Sequence, residues 1–133
     1  MDRVADFLSR AGGSIFREIS SLGQSADLVY LRGDDLTFVE VKVNATRRAI
    51  EQCKAHQLVA DFICVAIAGK SVSDENMEKL KSLGYGLISC NQGFDDCIWI
   101  LMPRRQNEFW QPSRRKVIEQ ITQGEDMCQS SIG

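Results

Sequence analysis

Asp27, Glu40 and Lys42 have the side-chain types and spacing of a metal-assisted hydrolytic site. They lie in the stretch Ser25-Ala-Asp-Leu-Val-Tyr-Leu-Arg-Gly-Asp-Asp-Leu-Thr-Phe-Val-Glu-Val-Lys-Val43. Residues 28–32 and 36–43 are rich in β-branched and aromatic residues, and Gly33-Asp34 between them is a two-residue hairpin signal. If Arg32 faces Asp35, Asp27 falls directly opposite Glu40, with Cβ atoms roughly 5 Å apart on one side of the sheet. Alternation places Leu36, Phe38, Glu40 and Lys42 on one face and Thr37, Val39, Val41 and Val43 on the other. Two ionised carboxylates that close repel, and a divalent cation offsets the repulsion best. Hard oxygen donors favour Mg²⁺ or Mn²⁺, and Mg²⁺ held by one or two carboxylates keeps several waters and takes substrate phosphate. Lys42, roughly 7 Å beyond Glu40 on the same face, would orient a water or neutralise a phosphate. Metal, activated water and cation are the parts that phosphodiester hydrolysis requires.

Taken singly, each residue has a plainer reading. Asp27 is a turn residue ahead of a strand, and Glu40 and Lys42 are a solvated strand end. Their joint placement argues otherwise, because residues 36–43 are apolar on both faces at one end. That pattern marks a central strand, and acids closing a central strand need a reason.

The flanking elements must position these groups. Asp2 to Ala11 has amphipathic helical spacing and stops at Gly12-Gly13. Ser14 to Ser20 reads as a strand ahead of the hairpin. Thr46 to Ala60 reads as a helix with Ala49, Ile50 and Cys53 on its buried stripe. Phe62 to Ala68 is a continuous apolar run, as in a strand covered on both faces. Asp74 to Leu83 is a helix closed by Gly84. Gly86 to Cys90 and Cys97 to Met102 are strands, and Pro112 to Thr122 is a last helix, with Pro112 as its first residue. The order predicts an α/β fold, a central mixed β-sheet flanked by helices. Residues 1–123 form one domain, Pro103 to Gln111 a loop, and the polar residues 124–133 a flexible tail.

Composition sets the outer bounds. A chain of 133 residues with 44% hydrophobic and 26% charged residues is long enough for one sizeable core. Its formal net charge of −2 gives no global pull toward nucleic acid, so such binding rests on local patches. The Met-Asp-Arg start shows no signal peptide and no stretch reaches the roughly 20 apolar residues of a membrane span, so a cytoplasmic protein with no membrane partner is expected. The five cysteines never occur as C-x-x-C and read as reduced, structural thiols. Tyr85, Phe94 and Trp99 read as core. There is no P-loop, no G-x-S-x-G elbow and no glycine-rich turn after the first strand, which weakens a flavodoxin-like alternative.

Asp27 followed by Glu40-Val-Lys42, in a helix–strand–hairpin–helix–strand order, resembles the PD-(D/E)XK nuclease superfamily, which includes restriction endonucleases and Holliday-junction resolvases. The resemblance covers Val4 to about Ala68 and, more loosely, Gly84 to Leu101. Ala26 stands where the motif has proline. The resemblance implies a restriction-endonuclease-like core with a four-stranded mixed sheet, dependence on Mg²⁺ or Mn²⁺, and cleavage of duplex or branched DNA. It implies Asp27 and Glu40 as metal ligands with the Val41 carbonyl, Lys42 as the catalytic lysine, and Glu18 as an upstream acid. Glu18 reads equally well as an outward-facing strand residue beside Arg17. In that fold Lys54, His56 or Gln57 would border the substrate, although a lone histidine reads first as a surface or helix-packing residue.

Two basic groups are candidates for gripping nucleic acid: Arg47, Arg48 and Lys54, and then Arg104, Arg105, Arg114 and Arg115 around Phe109 and Trp110. The plainer reading of the second is a basic loop whose aromatics fold back on the core. A one-site monomer cuts one strand, so duplex cleavage would call for a homodimer. The alternative function is a nuclease-like module that binds nucleic acid or a protein without cutting.

Overall fold

The computed structural model describes residues 2–21, 24–43, 46–68, 72–91, 96–106 and 111–132, with side chains left aside at residues 2, 20–21, 24 and 123–132. Helix α1 (Asp2–Ser9) precedes a meander of β1 (Ser14–Ser21), β2 (Gln24–Arg32) and β3 (Asp35–Val43). Helix α2 (Thr46–Lys54), β4 (Phe62–Ala68), α3 (Asp74–Leu83), β5 (Gly86–Cys90), β6 (Cys97–Leu101) and α4 (Gln111–Ile132) follow. The strands form one six-stranded sheet in sequence order. The first three are antiparallel, β3, β4 and β5 are parallel, and β6 returns antiparallel at the edge. The expected α/β architecture with a mixed, helix-flanked sheet is present, with two more strands than the resemblance implied.

Alternation along the strands divides the core into two layers. Leu36 and Phe38 of β3 join Val29, Ile63, Val65 and Leu87 beneath Ala49, Ile50 and Cys53 of α2, Leu80 of α3, and Val117 and Ile121 of α4. On the other face, Leu28, Val39, Cys64, Ala66 and Ile88 pack under Val4, Ala5 and Leu8 of α1. β3 is central and buried from Leu36 to Glu40, as its two-sided apolar pattern predicts. The hairpin closes as expected, with Arg32 paired to Asp35 and Gly33 at φ 63, a turn position that suits glycine. Helix α3 is capped by Ser73, whose hydroxyl accepts from the Asn76 amide, and ends at Gly84 in the left-handed conformation.

The largest departures from the sequence reading are at four boundaries, with shifts of one residue at others, such as α4 starting at Gln111 rather than Pro112. α1 ends at Ser9, two residues before Ala11, and β2 begins at Gln24 rather than Leu28. α4 runs to Ile132, past Gly124, where a tail was expected. α2 stops at Lys54 rather than Ala60. Beyond it the amides of Ala55, His56 and Gln57 bond three residues back, to Gln52, Cys53 and Lys54, and those of Val59 and Ala60 both turn to the His56 carbonyl. No glycine or proline announces this tightening.

Tyr85 is buried and Trp99 half-buried, while Phe94, Phe109 and Trp110 lie outside the described residues. Cys53, Cys64 and Cys90 are buried thiols, as expected, and Cys97 is half-buried. Cys90 and Cys97 face each other across β5 and β6 with their sulfurs 2.6 Å apart and unlinked. Among the described residues no helix is long and apolar enough to cross a membrane.

Candidate active site

The β2–β3 ladder runs from Arg32–Asp35 to Leu28–Val39 and then stops, one step short of the Asp27–Glu40 pair. On the other side of β2 the β1–β2 ladder passes over the matching step, leaving Glu18 opposite Asp27 unpaired. Glu18 takes φ 54 there, a backbone conformation that costs a non-glycine residue about 1–3 kcal/mol. β3 stays paired to β4 as far as Val43–Ala68. The two strands of the hairpin therefore part at Asp27, while β3 remains anchored to the sheet. Asp27 Oδ2 accepts a hydrogen bond from the Val41 amide at 2.8 Å. A side-chain oxygen replaces the main-chain acceptor that the ladder would have supplied, and this fixes the Asp27 carboxylate against the end of β3.

Glu40 is 2% exposed. Its Oε1 lies 3.1 Å from Nε2 of His56, which is fully buried. Burial pushes the Glu40 carboxyl above its ordinary value, against the lowering effect of His56. The nearby Asp27 charge pushes it further up. Continued one step past Leu28–Val39, the β2–β3 register sets Asp27 against Glu40. The same charges, after burial itself, hold the Cys53 thiol well above its usual range, and Lys42 opposes them. Lys42 is half-buried, two residues past Glu40 on the face covered by α2.

The fit to a divalent cation can be judged from the oxygens. One oxygen of each carboxylate is oriented by a hydrogen bond, Asp27 by Val41 and Glu40 by His56, which leaves one on each for a cation. Among the described residues no group of three or more His, Cys, Asp or Glu side chains gathers to hold a metal. A two-carboxylate arrangement suits Mg²⁺, which fills its remaining positions with water and phosphate oxygens.

His56, expected either to border the substrate or to pack, is the partner of Glu40 that the sequence did not foresee. Its ring packs on Phe38, with centroids 4.9 Å apart, so the helix-packing expectation holds in part. The buried stripe of Ala49 and Cys53 extends to position 56 at helical spacing, and that was the available signal. Glu18 is exposed, so its side chain is not enclosed with the pair.

The basic residues divide between the two ends of the sheet. Arg47 and Arg48 are exposed on the first turn of α2, just past the Lys42 end of β3, and Lys54 is exposed beside Glu51 at 3.2 Å. Arg104, Arg105 and Arg114 stand at the hairpin end, where Asp35 lies seven residues of strand, about 23 Å, before Lys42. Three of these cations have protein partners in the structure. Arg104 donates to the Lys81 carbonyl at 2.7 Å, at the C-terminus of α3. Arg105 pairs with both oxygens of Asp35, at 2.9 and 3.0 Å, and lies 4.7 Å from the Phe62 ring centre. Arg114 donates to Asp61 Oδ2 at 2.9 Å and to the Val59 carbonyl at 2.7 Å. Arg115 is exposed. Two cavities, of about 650 and 450 Å³, are lined respectively by residues around Phe7, Tyr30 and Trp99 and by residues around Leu58, Gly84 and Arg104. Neither lining includes Asp27, Glu40 or Lys42.

No known family profile matches the chain, and no curated protein sequence does. Among solved structures it is similar to an XisH family protein from Nostoc punctiforme, with a TM-score of 0.53 and 16% identity over 74% of this chain and 96% of that one. A weaker likeness, with a TM-score of 0.41 and 12% identity, is to SfsA of Pyrococcus furiosus in complex with Ca²⁺, of which this chain spans 59%. The first likeness supports the restriction-endonuclease-like core as a fold.

Proposed function

We propose that this chain is a metal-dependent nuclease of the PD-(D/E)XK superfamily, hydrolysing DNA phosphodiester bonds with Mg²⁺ or Mn²⁺. The observations that carry the reading are a β2–β3 register that sets Asp27 against buried Glu40 and the Asp27 carboxylate bonded to the Val41 amide, with Lys42 two residues past Glu40. Asp27 and Glu40 would hold the cation, with the Val41 carbonyl as a third donor. When bound, the cation would lower the pKa of a coordinated water and stabilise charge on the scissile phosphate. Lys42 would orient that water or neutralise the phosphate. Exposed Arg47 and Arg48, and Lys54 with them, lie where the DNA backbone would pass.

One observation favours a second reading, a nuclease-like module that binds without cutting: no cluster of three ligating side chains forms among the described residues. The two readings separate in one assay. Purified protein is expected to nick plasmid or branched DNA with Mg²⁺ or Mn²⁺ and not with EDTA, and Lys42→Ala is expected to abolish cutting in a folded chain. Cutting that survives Lys42→Ala would place the activity elsewhere, and DNA binding without cutting would establish the second reading.

A further inference from the structure

A glutamate side chain has three rotatable bonds, and burial alone does not fix how its carboxylate turns. At Glu40 that orientation has one visible determinant, the 3.1 Å contact between Oε1 and His56 Nε2. The tightened chain after Lys54 places His56 beneath β3, where its ring rests on Phe38 and reaches Glu40 two residues along the same face. Nδ1 is buried and has no hydrogen-bond partner among the described residues. An imidazole whose one buried partner is an ionised carboxylate, and whose Nδ1 has none, meets that partner with a proton on Nε2. The other nitrogen is then a bare acceptor, a smaller loss when unpaired than a buried N–H. Such a ring supplies a directed dipole. It turns one carboxylate oxygen while leaving the negative charge of the Asp27–Glu40 pair for a cation.

We infer that His56 is a positioning residue for the metal: its Nε2–H holds the Glu40 carboxylate in the orientation in which Glu40 and Asp27 bind one divalent ion. This rests on the metal-site reading above. Residues that orient a metal's ligands typically contribute 10–100-fold to affinity when intact.

The decisive experiment is Mn²⁺ binding by titration calorimetry on the full chain, comparing wild type with His56→Phe and His56→Gln. Phenylalanine keeps a ring against Phe38 and removes the donor, whereas glutamine restores a donor and gives up the ring. The expected order is wild type and His56→Gln within about threefold of each other, with His56→Phe weaker by about 10–100-fold. The opposite order, or equal binding by wild type and His56→Phe, would overturn the assignment and leave His56 a packing residue. A wild-type chain that binds no Mn²⁺ removes the metal site itself, a distinct result visible before any variant is made. If a variant does not fold, the imidazole ¹⁵N resonances of the Mg²⁺-bound wild type decide: protonated Nε2 with bare Nδ1 is expected, and the reverse tautomer overturns the inference.

Discussion

At one end of the β3–β4 pair a buried acid meets two arginines; at the other a buried acid meets a second acid and an imidazole. Asp61, 4% exposed, accepts from the Leu36 amide at 2.7 Å and from Arg114 at 2.9 Å, with Arg105 at 3.4 Å. Its own amide and carbonyl bond Leu36 and Gln106. Through these contacts Asp61 ties the hairpin, β4, the segment after β6 and α4 together, and its charge is answered by two guanidinium groups. Glu40 is as deeply buried, yet it meets the charge of Asp27 and a single imidazole nitrogen where Asp61 meets two guanidinium groups. Buried charge left unanswered costs stability, and proteins keep it where something binds. The contrast separates a structural acid from a candidate ligand better than burial or residue type does.

The largest effect that tests this contrast is expected at Asp61. Asp61→Ala strands the Arg114 guanidinium and the Leu36 amide, and breaking a buried pair in this way costs about 3–5 kcal/mol. Thermal unfolding should show a chain close to or past its stability limit. A chain that melts like wild type would mean that Asp61 does not clamp the hairpin end.

Glu40 should behave in the opposite way. Because its carboxyl is raised in the folded chain, its stabilising contribution is fully present below the ordinary glutamate value and is lost as pH rises through the raised one. Glu40→Gln is therefore expected to stabilise the metal-free chain at pH 8. It should also abolish the rise in unfolding midpoint that Mg²⁺ or Mn²⁺ gives the wild type. A Glu40→Gln chain less stable than wild type at pH 8 without metal would make Glu40 a structural acid like Asp61.

The smallest effect distinguishes the cations of the two ends. The double change Arg47→Ala, Arg48→Ala should lower the salt dependence of DNA binding by a log–log slope of about 2, one for each lost phosphate contact. Arg105→Ala, its side chain already committed to Asp35, should leave that slope unchanged. Equal losses would return Arg105 to the nucleic-acid surface.

The hairpin register that sets Asp27 against Glu40 was legible in the sequence because it follows from local rules: a two-residue turn, period-two alternation and a count outward from Arg32 and Asp35. β4 and α3 were legible for the same reason, since a continuous apolar run and a closing Gly84 are written in neighbouring residues. The Asp61 cluster was not, because its arginines arrive from 44 and 53 residues away. Counting cations in 104–116 shows a basic segment but not which acids it will meet, so the segment read as a phosphate grip. His56 was half legible: the stripe from Ala49 and Cys53 points inward at position 56, but the tighter turn after Lys54 that aims the ring at Glu40 has no local signal.

The two-residue turn at Gly33–Asp34 lies about 20 Å of strand from the acids, yet it acts as their gauge. Side-chain facing across a hairpin is counted from its tip, so one residue inserted there would slide β2 against β3 and carry Asp27 away from Glu40. Loop tips ordinarily tolerate added length, but this one should tolerate none without dispersing the acids.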